Sequence, residues 1–241
     1  MILIGLTGGI ACGKSTVSAL LVDRYQLTVI DADQVVRELQ CPGKPCTRKI
    51  AKRWPECVDT ETGEINRTAL GKIIFCDAQA RRELTNIMNL PIFVAITTKL
   101  LRLWWRSMWR RTLEGEAPPL VVLDVPLLYE SNIYTWFIDA AVVVACDEAQ
   151  QIARLEKRNG FTREQAVQRI RAQMPIAEKC RRADRVIRNN GTLAELESSV
   201  DTTVMWMRRQ PGSRLTRLVV ATVVGGVGCA AGAVYLFRLL L

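Results

Sequence analysis

The sequence predicts an α/β fold in which helices cover both faces of a parallel β-sheet. The chain has 241 residues, and 49% of them are hydrophobic, which is enough to bury one or two cores. Short apolar runs alternate with segments of helical periodicity, the order expected when crossover helices join parallel strands. A glycine-rich turn follows the first apolar run and precedes a helical pattern. These observations indicate a sheet that binds its ligand beyond the carboxyl ends of the strands.

The predicted strands are short apolar runs at residues 2–6, 27–31, 120–125, 140–146 and 185–188. Helical spacing predicts helices at residues 14–25, 32–40, 66–88, 91–113, 148–158, 162–173 and 192–209. Proline and glycine break the pattern at residues 42–45 and 115–119. We therefore predict one α/β domain over residues 1–209, with a helical insert at about 60–115 and a helical lid at about 150–175.

Residues 8–15 form a glycine-rich motif for binding phosphate groups. The stretch reads Gly-Gly-Ile-Ala-Cys-Gly-Lys-Ser, and a helical pattern continues from Thr16. Glycine lets backbone N–H groups turn inward on a polyanion, and the next helix directs its positive end toward it. Lys14 would contact the terminal phosphates, and the Ser15 hydroxyl would bind the Mg²⁺ that accompanies them. A structural turn without nucleotide is the alternative, which this context disfavours.

Carboxylates follow two of the predicted strands. Asp31 and Asp33 lie at the end of the second strand, where a carboxylate could accept the proton of a phosphoryl acceptor hydroxyl. We favour Asp33 for this role, although a helix N-cap explains the pair equally well. Asp124 ends the strand at 120–125, where proteins with this motif place the acidic residue beside Mg²⁺. A purely structural capping role is the alternative for Asp124 as well.

The segment 154–173 has the pattern of two helices around a short glycine turn. Arg154 and Arg158 are four residues apart and share a helix face. Guanidinium groups pair with phosphate oxygens at two points, so a hinged helix pair carrying them suits a lid over a nucleotide. A solvated charged face is the simpler explanation for any single arginine, but the cluster favours the lid.

Composition excludes several functional classes. The chain has no histidine, which removes catalytic schemes that pair serine or cysteine with histidine. Its eight cysteines are scattered without a C-x-x-C pair, and together with the absence of histidine this makes us expect no zinc site. The apolar N-terminus has no basic segment and is predicted to be a strand, not a signal peptide, which fits a reducing compartment with free thiols. The net charge is +9, but five arginines and no acidic residue follow Trp206. Much of the basicity therefore belongs to the C-terminal end, and we predict no nucleic-acid partner.

Residues 218–237 carry no charge and are long enough to cross a bilayer as a helix. Arg214 and Arg217 precede this run, which keeps the main domain on the cytosolic side. We therefore predict a basic linker at 210–217 and a single-pass tail anchor at 218–237, in the mitochondrial outer or endoplasmic reticulum membrane. A buried C-terminal helix is the alternative.

Residues 99–111 interleave tryptophan with arginine. As a helix they would place one apolar stripe, Leu100, Leu101, Trp104, Trp105 and Met108, opposite Arg102, Arg106 and Arg110. We predict that this amphipathic stripe faces the core. A surface that rests on lipid headgroups is the alternative.

In the order and spacing of its motifs, the sequence resembles the dephospho-coenzyme A kinase family. The matching stretches span about residues 1–205 and are 4–16, 31–33, 42–43, 122–131, 154–173 and 183–191. The resemblance implies a P-loop parallel sheet with flanking helices, a helical acceptor-binding insert and a helical lid. It also implies transfer of the ATP γ-phosphoryl group to the ribose 3′-hydroxyl of dephospho-CoA, with Mg²⁺ present. The sequence departs from the family at residues 89–91, where His-Pro is usual, and lacks the histidine often found after Asp-Ala-Asp.

The resemblance implies a role for each site residue. ATP phosphates would bind Gly8, Gly9, Ile10, Ala11, Cys12, Gly13, Lys14, Ser15 and Thr16, and Asn190 would lie near the adenine. Asp33 would be the base, and Lys14 and Arg154 would act on the transferring phosphate. The substrate-binding residues would be Thr7, Asp33, Leu127, Leu128, Arg154, Arg158 and Gln173. The metal ligands would be Ser15 and Asp124.

Two other functions stay open at the level of sequence. A different small-molecule kinase, such as one for nucleoside monophosphates, would share the loop and the lid but differ in its acceptor pocket. A membrane-anchored nucleotide switch would use the same loop, although the chain lacks the N-K-x-D motif that reads guanine.

Overall fold

The computed structural model describes residues 1–114 and 117–222. Contacts divide the chain into two compact units, one formed by Met1–Val29 with the chain from Ser107 onward, the other by Ile30–Arg106. The elements in chain order are β1 (Ile2–Gly8), α1 (Lys14–Asp23), β2 (Thr28–Asp31), α2 (Ala32–Leu39), α3 (Pro45–Arg53), α4 (Arg67–Cys76), α5 (Ala78–Glu114), β3 (Leu120–Asp124), α6 (Leu128–Ser131), β4 (Ala140–Ala145), α7 (Glu148–Asn159), α8 (Arg163–Arg171), α9 (Ile176–Arg182), β5 (Arg185–Arg188) and α10 (Leu193–Met207). Single 3₁₀ turns lie at Pro55–Cys57 and Tyr134–Trp136.

The five predicted strands are confirmed. The first and last residue of each strand lie within two residues of the predicted positions. The strand order is β2-β3-β1-β4-β5. Strand β1 pairs in parallel with β3 and with β4, and β4 pairs in parallel with β5. Strands β1, β3 and β4 are buried along their whole length, as expected of parallel strands with both faces covered. This arrangement confirms the α/β fold class.

The core of the first unit lies between the sheet and its helices. Val17 and Leu21 of α1 and Val204 of α10 pack against Leu6 and Val142 of the two central strands. All five side chains are almost completely shielded from solvent. Burying an aliphatic side chain of this size contributes about 1.5–3 kcal/mol relative to leaving it exposed. The loops at the strand ends are therefore built on a rigid support.

The second unit has its own core, in which Ile50, Trp54, Leu70 and Met88 are buried together. Helix α3, which contributes Ile50, was not predicted, because the prolines around it read as a break. In the structure Pro45 occupies the first turn of α3. The first helical position needs no N–H donor, so proline starts the helix there instead of ending one.

The long helix α5 differs from the two helices predicted at 66–88 and 91–113. It continues through Pro91, and the break falls instead at Asp77, whose backbone is extended (φ −117°, ψ 113°). The Asp77 carboxylate accepts a 2.7 Å hydrogen bond from the Gln79 N–H, as a helix cap does. Pro91 removes only one backbone donor, and the nearby Met88 is buried in the core of the second unit, which favours continuation of the helix.

The prediction that the stripe from Leu100 to Met108 faces the core is wrong for three of its members. Leu100 is 2% exposed, but Leu101, Trp105 and Met108 are 39%, 58% and 43% exposed. Ile96 and Leu100 define the buried face of α5. Each helical residue advances about 100° around the axis, so Leu101 and Trp105 fall outside that face. The Arg110 side chain lies outside the described part of the chain.

Two segments bear on membrane association. In the described part of the chain, α5 over Ala78–Trp109 is long and apolar enough to cross a membrane, by length and composition only. Its Ala80 and Met88 nevertheless belong to the core of the second unit, as in the core helix of a globular domain. Most of the predicted span at 218–237 lies outside the described residues. The last described segment, residues 214–222, is helical.

The residues predicted as a linker are attached to the first unit. The Asp139 carboxylate, which directly precedes β4, accepts 2.9 Å hydrogen bonds from the N–H groups of Ser213 and Arg214. The Arg214 guanidinium donates to the Ile138 carbonyl at 3.1 Å, and Leu215 is 4% exposed. These contacts fix the chain at the amino-terminal edge of the sheet.

Candidate phosphate-binding site

The glycine-rich loop joins the end of β1 to the start of α1. Gly13 has a left-handed backbone (φ +89°), and a Cβ there would lie 2.2 Å from the Asn189 Nδ2 atom, so only glycine fits. Ala11 is also left-handed (φ 60°), an unusual conformation for alanine that other contacts must enforce. Left-handed residues in a loop turn backbone N–H groups toward one side, where they form an anion-binding concavity.

Two glutamines hold the backbone of Ile10 in this loop, one on each side of its Cα atom. Gln151 of α7 donates to the Ile10 carbonyl at 2.7 Å, and the Gln173 side-chain oxygen accepts the Ile10 N–H at 2.9 Å. Gln151 is 2% exposed and was missed by sequence reasoning, because a glutamine on a charged helix carries no signal of burial. Gln173, predicted to bind substrate, supports the loop backbone in this structure.

Arg154 and Asn189 hold the next two residues of the loop. Asn189 donates to the Cys12 carbonyl at 2.9 Å, and Arg154 donates to the Ala11 carbonyl at 3.2 Å. Arg154 also donates to the Asn189 carbonyl at 3.0 Å. Helix α7 and the end of β5 therefore place a guanidinium directly against the glycine-rich loop.

Lys14, the first residue of α1, forms an ion pair with Asp124. The parallel register sets Leu6 opposite Asp124, so the end of β3 lies beside the start of the loop. The Asp124 side chain is 3% exposed. A buried carboxylate paired with an ammonium at a helix N-terminus concentrates opposite charges at one point of the site.

A cavity of about 640 Å³ opens beside the loop. Its lining combines loop backbone, cations of α7 and residues of the β5–α10 connection: Ala11, Gly13, Ser15, Thr16, Arg154, Lys157, Arg158, Asn189, Gly191, Leu193 and Leu196. Lys157 was not predicted. Asn190 is exposed and does not line the cavity, and its side-chain oxygen accepts the Asp147 N–H at 2.9 Å. Cations and apolar side chains in one cavity suit a ligand that has both phosphates and a ring.

Lys179 of α9 is a buried cation that the sequence did not reveal. Its side chain is 0% exposed, and its ammonium donates to the Gly8 and Pro126 carbonyls at 3.3 and 3.2 Å. It also pairs with the Glu130 carboxylate at 2.8 Å. Burial tends to raise the pKa of Glu130, but hydrogen bonds from Lys179 and from a backbone N–H outweigh it and lower that pKa. Lys179 thereby ties the loop after β1 to the loop after β3.

The predicted acceptor-side residues of the first unit differ in exposure. Leu127 is 47% exposed, whereas Leu128 is fully buried. Thr7 is also fully buried, and its hydroxyl donates to the Pro126 carbonyl at 2.9 Å. Of these three side chains, Leu127 alone presents surface to a ligand. Arg158 is exposed, and its guanidinium donates to the Asn159 side chain at 2.9 Å.

In the second unit, Asp31 and Asp33 have different roles. The Asp31 carboxylate caps α2, accepting the N–H groups of Asp33 and Gln34 at 2.8 and 3.2 Å. Asp33 lies exposed in the first turn of α2. The capping alternative considered for the pair thus applies to Asp31.

Comparison with known proteins identifies the family. The sequence profile described as "CoaE: Dephospho-CoA kinase" matches residues 2–195. The dephospho-CoA kinase of Geobacillus kaustophilus is 43% identical over 192 residues, which cover 80% of this chain and 90% of that protein. The dephospho-CoA kinase of Bacillus cereus is 40% identical over 200 residues, covering 83% and 94% of the two chains.

Solved structures show the same architecture. The crystal structure of TT1252 from Thermus thermophilus superimposes with a TM-score of 0.67 at 30% identity, covering 85% of this chain and 97% of that one. Dephospho-CoA kinase from Campylobacter jejuni superimposes with a TM-score of 0.57 at 20% identity, covering 85% and 96%, which shows a shared fold. The profile, the relatives and the glycine-rich loop agree: the chain belongs to the dephospho-CoA kinase family of phosphotransferases.

Proposed function

We propose that the chain transfers the γ-phosphoryl group of ATP to the ribose 3′-hydroxyl of dephospho-CoA at the loop 8–16. The proposal rests on one observation: several positively charged groups converge on this loop. Lys14 begins α1, whose N-terminus carries a partial positive charge, and Arg154 contacts the loop backbone. Triphosphate is the ligand that this arrangement of backbone and cations favours.

Arg154 is held in place before any ligand arrives. Its contacts with the Ala11 and Asn189 carbonyls fix the guanidinium beside the cavity, where Lys157 and Arg158 add positive charge. Phosphoryl transfer concentrates negative charge on the transferring group, and a preorganised cation stabilises that charge without reorganising.

Mg²⁺ fits the donor set at the start of α1. Asp124 offers a buried carboxylate and Ser15 a hydroxyl, and both are hard oxygen ligands. Residues 1–114 and 117–222 contain no cluster of three histidine, cysteine, aspartate or glutamate side chains that could hold a metal alone. Mg²⁺ in kinases needs few protein ligands, because phosphates and water complete its shell, and it neutralises phosphate charge. Phosphates at the loop would draw Lys14 toward them and leave an Asp124 oxygen for the metal.

Asp33 is the proposed general base. Its carboxylate would accept the proton of the 3′-hydroxyl as the new O–P bond forms and ADP leaves. The choice between the two carboxylates is supported by their different positions. The Asp31 carboxylate caps helix α2, whereas the Asp33 carboxylate is exposed and can accept a proton. Leu127 supplies exposed apolar surface for the acceptor.

One assay on the full chain tests both which acceptor is phosphorylated and whether Asp33 is the general base. ADP release is followed with dephospho-CoA and, for comparison, with nucleoside monophosphates as acceptors. Asp33→Asn should lower kcat by about 10²–10⁴-fold while ATP binding persists. Asp31→Asn is the matched control, which should keep both turnover and stability, because the asparagine side-chain oxygen can still accept the capping hydrogen bonds. Equal losses of turnover in both variants would remove Asp33 from the base role, and turnover with nucleoside monophosphates alone would remove dephospho-CoA as the acceptor.

The proposed membrane association rests on the uncharged run at 218–237 and the arginines before it. The tail would anchor the chain with the kinase domain in the cytosol, on the mitochondrial outer or endoplasmic reticulum membrane. Full-length protein should stay in the pellet after a carbonate wash, and a chain ending at Arg217 should be released. Release of both forms would exclude the anchor.

An exposed surface on α5 supports a second contact with lipid. Leu101 and Trp105 are exposed beside Arg102 and Arg106, and a cavity of about 560 Å³ lies among these residues. Tryptophan with arginine suits an anionic headgroup layer. The chain without its tail should bind phosphatidylserine vesicles better than neutral ones, and Trp105→Ala should weaken its binding to the phosphatidylserine vesicles. Trp136→Ala, at a site that is 70% exposed, is the control. Equal binding to both vesicle types would refute the contact.

A further inference from the structure

Two thiols meet beneath the glycine-rich loop, and no step proposed above uses either sulfur. Cys12 lies within the loop and is 0% exposed, and Cys146 directly follows β4 and is 5% exposed. The Cys146 thiol donates to the Cys12 sulfur, with the two Sγ atoms 3.5 Å apart. Both cysteines are reduced in the structure.

The surroundings of Cys12 favour reaction at its sulfur. The hydrogen bond from the Cys146 thiol outweighs burial and lowers the pKa of Cys12 below its ordinary value. The thiolate is the reactive form of cysteine, so a lowered pKa makes the Cys12 sulfur a better nucleophile than an ordinary buried thiol. Ala11 and Gly13, on either side of Cys12, line the open cavity, so a small oxidant needs only a local movement of the loop to reach the sulfur.

We propose that Cys12 and Cys146 form a reversible disulfide that switches off ATP binding. With a peroxide as oxidant, the Cys12 thiolate attacks one peroxide oxygen, the O–O bond breaks, and a sulfenic acid forms with loss of hydroxide. The Cys146 sulfur then attacks the sulfenic sulfur, the S–S bond forms, and a second hydroxide leaves. The two thiol protons convert the two hydroxides to water. An external dithiol restores both thiols.

The cross-link would change the loop because the loop is packed around the sulfur. A disulfide requires an S–S distance of about 2.05 Å, so the two sulfurs must approach by about 1.5 Å. A Cβ placed on Gly9 would lie 2.9 Å from the Cys12 sulfur, and the Cys12 carbonyl holds Asn189. A shift of Cys12 therefore displaces loop backbone on both sides. Displaced backbone N–H groups no longer converge on one point, so the loop binds phosphate less tightly.

The experiment uses the full chain, treated with hydrogen peroxide and then blocked with an alkylating reagent. Peptide mapping identifies the cross-link, and calorimetry measures MgATP affinity before oxidation, after oxidation and after dithiothreitol. We expect a Cys12–Cys146 peptide, at least about tenfold weaker ATP binding and recovery on reduction. Cys146→Ser keeps a hydroxyl donor but cannot form the cross-link, so its ATP affinity should survive peroxide. Cys41→Ser, at an exposed cysteine, should behave as the unaltered chain.

The inference rests on the proposed binding of ATP at this loop. Measurements on the reduced protein distinguish failure of the proposed function from failure of the switch. If reduced protein does not bind MgATP, the proposed function fails. If reduced protein binds MgATP and the cross-link leaves affinity unchanged, the switch is refuted. It is refuted equally if Cys12 pairs with Cys180 instead, or if Cys146→Ser loses affinity on oxidation as the unaltered chain does. Cys146→Ala provides a second test of the partner thiol if the serine variant is unstable.

Discussion

Replacing Lys179 with methionine tests the argument that this buried ammonium ties two loops together. Methionine has a similar volume but no charge and no donor. The variant leaves the Glu130 carboxylate without its cation and the Gly8 carbonyl without this donor, whereas the Pro126 carbonyl still accepts the Thr7 hydroxyl. The change therefore removes the contacts and keeps the packing.

The structure sets the size of the expected effect. Removing one partner of a fully buried ion pair costs about 3–5 kcal/mol. The Glu130 side chain is 24% exposed, so water can solvate part of its charge, and about 2–4 kcal/mol is the reasonable range. For a chain of this size that corresponds to a fall in Tm of roughly 4–16 °C.

Urea denaturation followed by tryptophan fluorescence measures the loss. The exposed Lys52→Met is the matched control and should stay within about 0.5 kcal/mol of the unaltered chain. Adding Glu130→Gln to Lys179→Met should recover part of the loss, because the unpaired charge is gone. A loss below about 1 kcal/mol in Lys179→Met would refute the reasoning.

The same pair predicts a pH dependence with a definite sign. The pKa of Glu130 in the folded chain is below its ordinary value of 4.5. A carboxyl whose pKa is lowered on folding stabilises the protein above the ordinary value, and that stabilisation disappears as the pH falls through the lowered value. The advantage of the unaltered chain over Lys179→Met should therefore be full at pH 7 and shrink below pH 4.5.

Three further substitutions test other parts of the structure. Gly13→Ala should abolish detectable ATP binding in calorimetry, because its Cβ would meet Asn189 and its backbone is left-handed; normal binding would contradict the loop geometry. Arg154→Lys should lower kcat by about 10²–10³-fold in the ADP-release assay, since lysine cannot reproduce the fork that contacts the Ala11 carbonyl. Tyr129→Phe should leave the free energy of unfolding unchanged or raise it, because the buried Tyr129 hydroxyl has no hydrogen-bond partner among the residues that the structure describes; a fall above about 1 kcal/mol in urea denaturation would reveal a hidden partner.

The strands and the glycine-rich loop could be predicted because their signals are local. A buried parallel strand such as β4 is a continuous apolar run, and the requirement for glycine at Gly13 follows from the motif itself. Lys179 and Gln151 could not be predicted, because their importance depends on carbonyl groups that only the folded chain brings near. Helix α5 shows the same limit: Pro91 has a local preference against helix that tertiary packing overrides.

If residues 218–237 form the proposed anchor, the hydrogen bonds that the Asp139 carboxylate accepts from Ser213 and Arg214 decide which end of the sheet lies nearer the membrane. Parallel strands give the sheet two unlike ends, and this tether is at the end where β1 begins. Strand β1 rises about 3.3 Å per residue from Ile2 to Gly8, so the glycine-rich loop lies roughly 20 Å further on. If the tail enters the bilayer directly after Arg217, the glycine-rich loop lies at the end of the sheet that is farther from the lipid. Nucleotide and coenzyme would then exchange with the aqueous phase.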